Sequence, residues 1–314
     1  NGEGGYLAET TQQEAALAYI NSLPDYAYLT ATGHSKGGNK AQYVTIRSAK
    51  IDRCISFDGQ GFSNEFITKY EEEIKANRHK ITSISAANDF VNCLLYSIAG
   101  KQLYIETLSE GKDFLRYHAP DIMLKIRKDR KGNSKAQMRS ITKQSNLAQF
   151  INQFTLYVME NVEEPEKSYI IDGLIGAFFE GNIAAESIED QQRALEMTKG
   201  VMIEFLKTDI GLVCLINVIT DDALHDFGFE LIRDKLGIDW EIIITAILST
   251  TISPQLFADD FRAAVISKLK QQKAIVLSKL KEIKKDVLQL IDDIKTGVSN
   301  YIIKVKLHIA LAKA

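Results

Sequence analysis

Along residues 1–143, short apolar runs alternate with stretches whose apolar residues recur every three or four positions. That is the pattern of βα units building a parallel sheet. Ala15, Ala16, Ala18, Tyr19 and Ile20 place a helix over Thr11–Leu23, and Tyr26–Ala31 then reads as a strand ending at Thr32-Gly33. Gly38–Ala49 is helical in pattern, and Cys54–Phe57 is a short buried strand ending at Asp58-Gly59. Asn64–Ala76 predicts another helix, and Lys80–Ser85 alternates like a strand before the loop Ala87-Asn88-Asp89. A fourth strand over Lys101–Thr107 alternates Leu103, Ile105 and Thr107 and leads into a loop that runs from Gly111 to His118.

From about residue 144 this alternation stops and helical periodicity replaces it. Apolar residues at Ile266, Leu269, Val276, Leu280, Ile283, Val287, Leu290, Ile294, Val298, Tyr301 and Val305 recur in steps of three, four and seven. They predict a long helix with one greasy face and one lysine-rich face. The fold class is therefore α/β: a mostly parallel sheet of about four strands in residues 1–143, followed by an all-α region over 144–314 that ends in a basic amphipathic helix.

Composition changes this picture little. The 314 residues are 45% hydrophobic and 25% charged, which excludes disorder and fibrous classes. Net charge is -3, so no nucleic-acid partner is expected, but its distribution is uneven. Residues 1–150 hold 20 Lys/Arg against 16 Asp/Glu, residues 151–262 hold 7 against 21, and residues 263–314 hold 11 against 4. The greasy stripe of the last segment is expected to pack on the acidic helices before it. Peripheral membrane contact or a protein partner bound through the helical region are the sharper alternatives. Between Lys125 and Lys143 stand eight cations and one anion, Asp129, with a turn at Gly132-Asn133. This run reads as a solvated loop or hairpin, or as a phosphate-contacting patch.

No run approaches the ~18 consecutive apolar residues of a membrane span. Cys54, Cys93 and Cys214 are odd in number and scattered, which excludes a disulfide framework or a spaced zinc cluster. No metal or organic cofactor is implied, and a cytoplasmic location is preferred to a secreted one. The chain opens at Asn1 with no charged-then-apolar leader and is read as a fragment or trimmed product, which leaves export open.

The chemistry concentrates at Gly33-His34-Ser35-Lys36-Gly37. A G-x-S-x-G sequence arises by chance in roughly one chain in ten of this length. Here it lies between a predicted strand and a predicted helix, the context a nucleophile elbow requires. A serine on such a tight turn leaves little room for flanking side chains, so glycine is expected two residues to either side. The following helix aims its N-terminus at the site, making the backbone N–H of Lys36 a candidate oxyanion donor. A serine needs a base and a carboxylate from later loops, in the order Ser, acid, His. Ser35, Asp89 and His118 supply that order, the last two following strands. Asp58, directly after a strand, is the alternative acid. Asp113 and Asp121 are expected to be solvated. His34 is expected to face away from Ser35 as a packing or hydrogen-bonding residue.

Gly33-His34-Ser35-Lys36-Gly37-Gly38-Asn39, Phe57-Asp58-Gly59-Gln60-Gly61-Phe62 and Asn88-Asp89-Phe90-Val91 leading to Leu94-Leu95 resemble a bacterial lipase-like family of the α/β-hydrolase superfamily. That family is largely uncharacterised and related in its elbow to class 3 lipases. The resemblance covers about residues 10–125. It implies a serine hydrolase acting on carboxylic esters, lipid esters in particular, with Ser35 as nucleophile, Asp89 as acid and His118 as base. Two alternatives stand beside it: an inactive hydrolase fold that binds partners through its helical half, and a lipase effector acting on another cell's membrane. The family places Gln before and Asp after the histidine, where this chain has Tyr117 and Ala119. It also carries an upstream Arg-Gly-Thr-like loop supplying a second oxyanion N–H, which nothing before Tyr6 matches. The expectation is a four-stranded sheet remnant with Tyr26–Thr32 at its edge, an incomplete oxyanion hole and weak esterase activity.

Overall fold

The computed structural model describes residues 5, 7–107, 114–178 and 188–220. These divide into two compact units at Thr198/Lys199. The first unit holds a sheet in the order β1 (Thr30–His34), β2 (Arg53–Phe57), β3 (Ile81–Ala86), β4 (Lys101–Ile105) and β7 (Ile141–Thr142). The first four strands are parallel, and β7 is antiparallel to β4. β1 pairs with β2 on one flank and with no described strand on the other. A separate antiparallel hairpin joins β5 (Leu124–Lys128) to β6 (Ser134–Met138). The sheet therefore has five strands rather than about four. The extra strand is two residues long, too short to leave a periodic trace.

Helix ends follow local chemistry. α1 (Thr11–Ser22) opens on a capping box in which the Thr10 hydroxyl accepts from the Gln13 N–H and the Gln13 side chain accepts from the Thr10 N–H. α2 (Lys36–Arg47) begins immediately after Ser35, two residues earlier than its apolar pattern suggested. The single helix expected over Asn64–Ala76 is two, α3 (Asn64–Lys69) and α4 (Glu71–Asn77), broken at Tyr70. There the buried Tyr70 ring packs on Phe66, and the Arg47 guanidinium lies 4.1 Å from the ring centroid. The first strand is displaced from Tyr26–Ala31 to Thr30–His34. Tyr26 and Tyr28 are exposed, and pairing is set by a clip at Asp52, whose carboxylate accepts from the Leu29 N–H and whose N–H donates to the Leu29 carbonyl.

The core lies between the sheet and the helices α1–α4, centred on Tyr43, Val44, Ile46, Ile51, Cys54, Phe62, Phe66 and Ile81. Burial of side chains of this size stabilises by about 1.5–3 kcal/mol each. After the strands, a short helix α5 (Phe114–Tyr117) and a 3-10 turn at Pro120–Met123 lead into the hairpin. α6 (Asn146–Asn161) then packs on the segment after β3, where the Leu95 N–H donates to Thr155 Oγ1 and Asn152 Nδ2 donates to the Cys93 carbonyl. α7 (Glu166–Phe178), α8 (Ile188–Leu206) and α9 (Asp209–Thr220) follow. The expected all-α continuation to residue 314 and the long basic helix lie outside the described residues. None of the described helices is long and apolar enough to cross a membrane.

Candidate active site

Ser35 is the single residue between β1 and α2, at φ 57° and ψ -125°. A positive φ is costly for a residue with a Cβ and persists only where its surroundings enforce it. Enforcement comes from the Ser35 N–H, which donates to the Phe57 carbonyl at 2.9 Å, and from the Ser35 carbonyl, which accepts from the Asn39 N–H at 3.0 Å. Backbone crowding adds to it. A Cβ on Gly33 would come within 2.3 Å of the Gly37 carbonyl group, and one on Gly38 within 2.7 Å of Ser56 Oγ. A Cβ on Gly37 would meet nothing within 4 Å. The expectation that both flanking glycines are sterically required is thus met at Gly33 and fails at Gly37, because the chain turns away from it into α2.

Asn39 pins the elbow from outside. Its Nδ2 donates to the carbonyls of Gln60 and Gly61, and its Oδ1 accepts from Gln13 Nε2 at 2.8 Å, tying in α1. The Ser35 hydroxyl makes no hydrogen bond among the described residues. The Lys36 amide is the first of α2, where N–H groups have no intrahelical acceptor.

Asp89 follows β3 and is fully buried. Its Oδ1 accepts from the Val91 N–H at 3.2 Å and contacts His118 Nδ1 at 2.8 Å. Its Oδ2 accepts from both the backbone N–H and the side-chain amide of Asn92, each at 2.8 Å. The carboxylate is thereby fixed on both oxygens, and His118 is left with Nε2 free to act. The structure brings Asp89 and His118 together. Ser35 and His118 share no hydrogen bond; the elbow reaches the histidine segment through His34, whose Nε2–H donates to the His118 carbonyl at 2.9 Å. The two imidazoles lie 4.7 Å apart at 34°. Burial, with the neighbouring His118, lowers the pKa of His34.

Asp58 sits at φ 47°, fully buried. Its Oδ1 accepts from the Ala86 N–H at 2.7 Å, whereas Oδ2 has no hydrogen-bond partner and lies 3.8 Å from His34 Nε2. Burial, reinforced by the charge of Asp89, pushes its pKa well above the carboxylate range. Asp89, not Asp58, is bonded to His118. Asp121 is paired with Arg116 at the surface, and Asp113 lies outside the described residues.

Other chemistry is sparse. Burial pushes the Cys54 thiol up to about 11 and the Cys93 thiol well above its usual range, which leaves both poor nucleophiles. No group of three or more His, Cys, Asp or Glu side chains among the described residues could hold a metal. A small polar cavity on the α2 side of the sheet is lined by Gln42, Ser83, Ser85, Asn92, Gln102 and Tyr104, a lining suited to water rather than to an acyl chain.

Residues 5–174 match a family described as Mbeg1-like, more than half of the chain. No curated protein and no solved structure matches it.

Proposed function

The chain belongs to the Mbeg1-like family, a lipase-like family, and from that premise we propose that it is a serine hydrolase of carboxylic esters, lipid esters in particular. Ser35 is the nucleophile, His118 the general base and acid, and Asp89 the carboxylate that orients it. The observation that carries this reading is the 2.8 Å contact between Asp89 Oδ1 and His118 Nδ1 at a carboxylate already held by Asn92 and Val91. A carboxylate on Nδ1 fixes the tautomer in which Nε2 can accept a proton.

In the first half-reaction Ser35 Oγ attacks the ester carbonyl carbon while its proton passes to His118 Nε2. The carbonyl oxygen takes up the negative charge at the mouth of α2, where the Lys36 N–H and the helix dipole stabilise it. Collapse expels the alcohol, which takes the proton from His118, and leaves an acyl ester on Ser35. Water, deprotonated by the same imidazole, then attacks the acyl carbon; the bond to Ser35 Oγ breaks, His118 returns the proton to Oγ, and the carboxylic acid leaves. The unbonded Ser35 hydroxyl of the free protein closes on His118 Nε2 when substrate binds, as catalytic hydrogen bonds commonly do.

Titration with a fluorophosphonate probe tests the proposal. Stoichiometric labelling of the whole chain that disappears in Ser35→Ala supports it. An unlabelled wild-type chain, shown by circular dichroism to be folded, overturns it and favours the inactive, partner-binding alternative.

A further inference from the structure

The β5–β6 hairpin pairs Leu124 with Met138, Ile126 with Ala136 and Lys128 with Ser134, and between these it pairs Lys125 with Gln137 and Arg127 with Lys135. Directly opposed residues share a face, so one face of the ribbon is apolar up to Lys128 and the other is cationic. Among the described residues this apolar face is uncovered: Ile126 is 67% exposed and Met138 36%. Ile141, on the neighbouring strand β7 two residues after Arg139, is a further bare aliphatic side chain at 66%. A two-stranded ribbon gains nothing from a bare aliphatic face in water, and such a face rimmed by charge marks an interaction surface.

The charge around it has one sign. Lys125–Lys143 carries eight cations, and among the described residues none of them forms an ion pair. The single anion, Asp129, is occupied within its own turn: Oδ1 accepts from the N–H groups of Lys131 and Asn133, and Oδ2 from the Asn133 side chain. Arg130 and Lys131 form the tip, beside Lys128 at the end of the apolar face. The run contains no aromatic residue, so it lacks the stacking platforms that hold single-stranded nucleic acid. Aliphatic side chains beside unpaired cations match the boundary between acyl chains and anionic headgroups.

We propose that the β5–β6 hairpin docks the protein on an anionic lipid surface. Ile126, Met138 and Ile141 enter the headgroup–acyl boundary, and Lys128, Arg130 and Lys131 engage lipid phosphates. His118 precedes β5 by only the Pro120–Met123 turn, so docking would bring the segment bearing the base to the surface that holds the substrate. That benefit rests on the hydrolase reading; the docking itself does not.

The test is co-sedimentation of the full chain with phosphatidylcholine vesicles, with and without phosphatidylglycerol. Wild type should bind the anionic vesicles and release them as salt rises. Because residues 263–314 are also basic, the hairpin variants decide. K128Q/R130Q/K131Q should bind about a hundredfold more weakly, at roughly fivefold per charge. I126S/I141S should bind about tenfold more weakly, corresponding to partial burial of two side chains. All five positions are exposed, so circular dichroism should be unchanged, and fluorophosphonate labelling in lipid-free solution should also be unchanged, which separates this idea from the hydrolase reading. Absence of wild-type binding, or wild-type affinity in both variants, overturns the proposal. So does a lipid-free dimer abolished by I126S/I141S, which would assign the face to a second copy, or tighter binding to an oligonucleotide than to the vesicles.

Discussion

The imidazole of His34 donates to the backbone carbonyl of His118 across 2.9 Å, so the residue before the candidate nucleophile grips the segment that carries the candidate base. The rings also contact, and Asp58 lies against the same nitrogen. His34 is thus a positioning residue, and its replacement should act on rate more than on substrate binding. His34→Ala should lower kcat about tenfold to a hundredfold with KM little changed. His34→Gln, whose amide can still donate, should recover part of the loss. Steady-state hydrolysis of a soluble nitrophenyl ester measures both.

The two buried aspartates should separate by activity and by pH. Asp89→Asn should reduce kcat by about four orders of magnitude, as removal of a triad carboxylate does, whereas Asp58→Asn should keep most of it. Asp58 binds its proton more tightly in the folded protein than in the unfolded chain, where the carboxyl titrates near about 3.9. Its contribution to stability is therefore full below that pH and is lost as pH rises through the folded value. Urea unfolding across a pH series should show this loss in the wild type and a flatter profile in Asp58→Asn.

The elbow glycines differ in what they tolerate. Gly33→Ala drives a methyl into the Gly37 backbone and should cost at least about 3 kcal/mol in a denaturation midpoint or prevent folding. Gly37→Ala meets open space in the first turn of α2 and should be neutral or stabilising by up to about 1 kcal/mol.

Glu9 reports on the acid limb. Burial pushes its carboxyl up, but hydrogen bonds from Lys69 and Tyr43 outweigh this and hold it at about 2. The resulting stability is present above the unfolded value of about 4.3 and is lost as pH falls through the folded one. Acid unfolding of Glu9→Gln should lack that descending step.

What could be read from sequence followed how local each signal was. The succession of strands and helices, the start of the first helix at Thr11 and the placing of Ser35 between a strand and a helix rest on periodicity and short motifs. The displacement of β1 to Thr30–His34 does not, because the Asp52 clip to Leu29 spans a whole helix. The break at Tyr70 depends on Arg47 reaching its ring from another helix. His34 was expected to pack or hydrogen-bond, but its acceptor, a backbone carbonyl 84 residues away, has no side-chain signature. Asn92 leaves no sequence signal, because its task, holding both Asp89 Oδ2 and the turn around it, is set by loop geometry alone. The cationic run was open between loop and hairpin. Register makes it a hairpin, and register also puts Leu124, Ile126, Ala136 and Met138 on one face.

One flank of β1 meets no described strand, and because the Ser35 N–H reaches Phe57, alternation sends the N–H groups of Ala31 and Gly33 toward β2 and those of Thr30, Thr32 and His34 outward. Adjacent amides on the strand leading to Ser35 should then trade hydrogen for deuterium at two very different speeds. That zipper-like contrast would let mass spectrometry register whatever comes to lie along the open side.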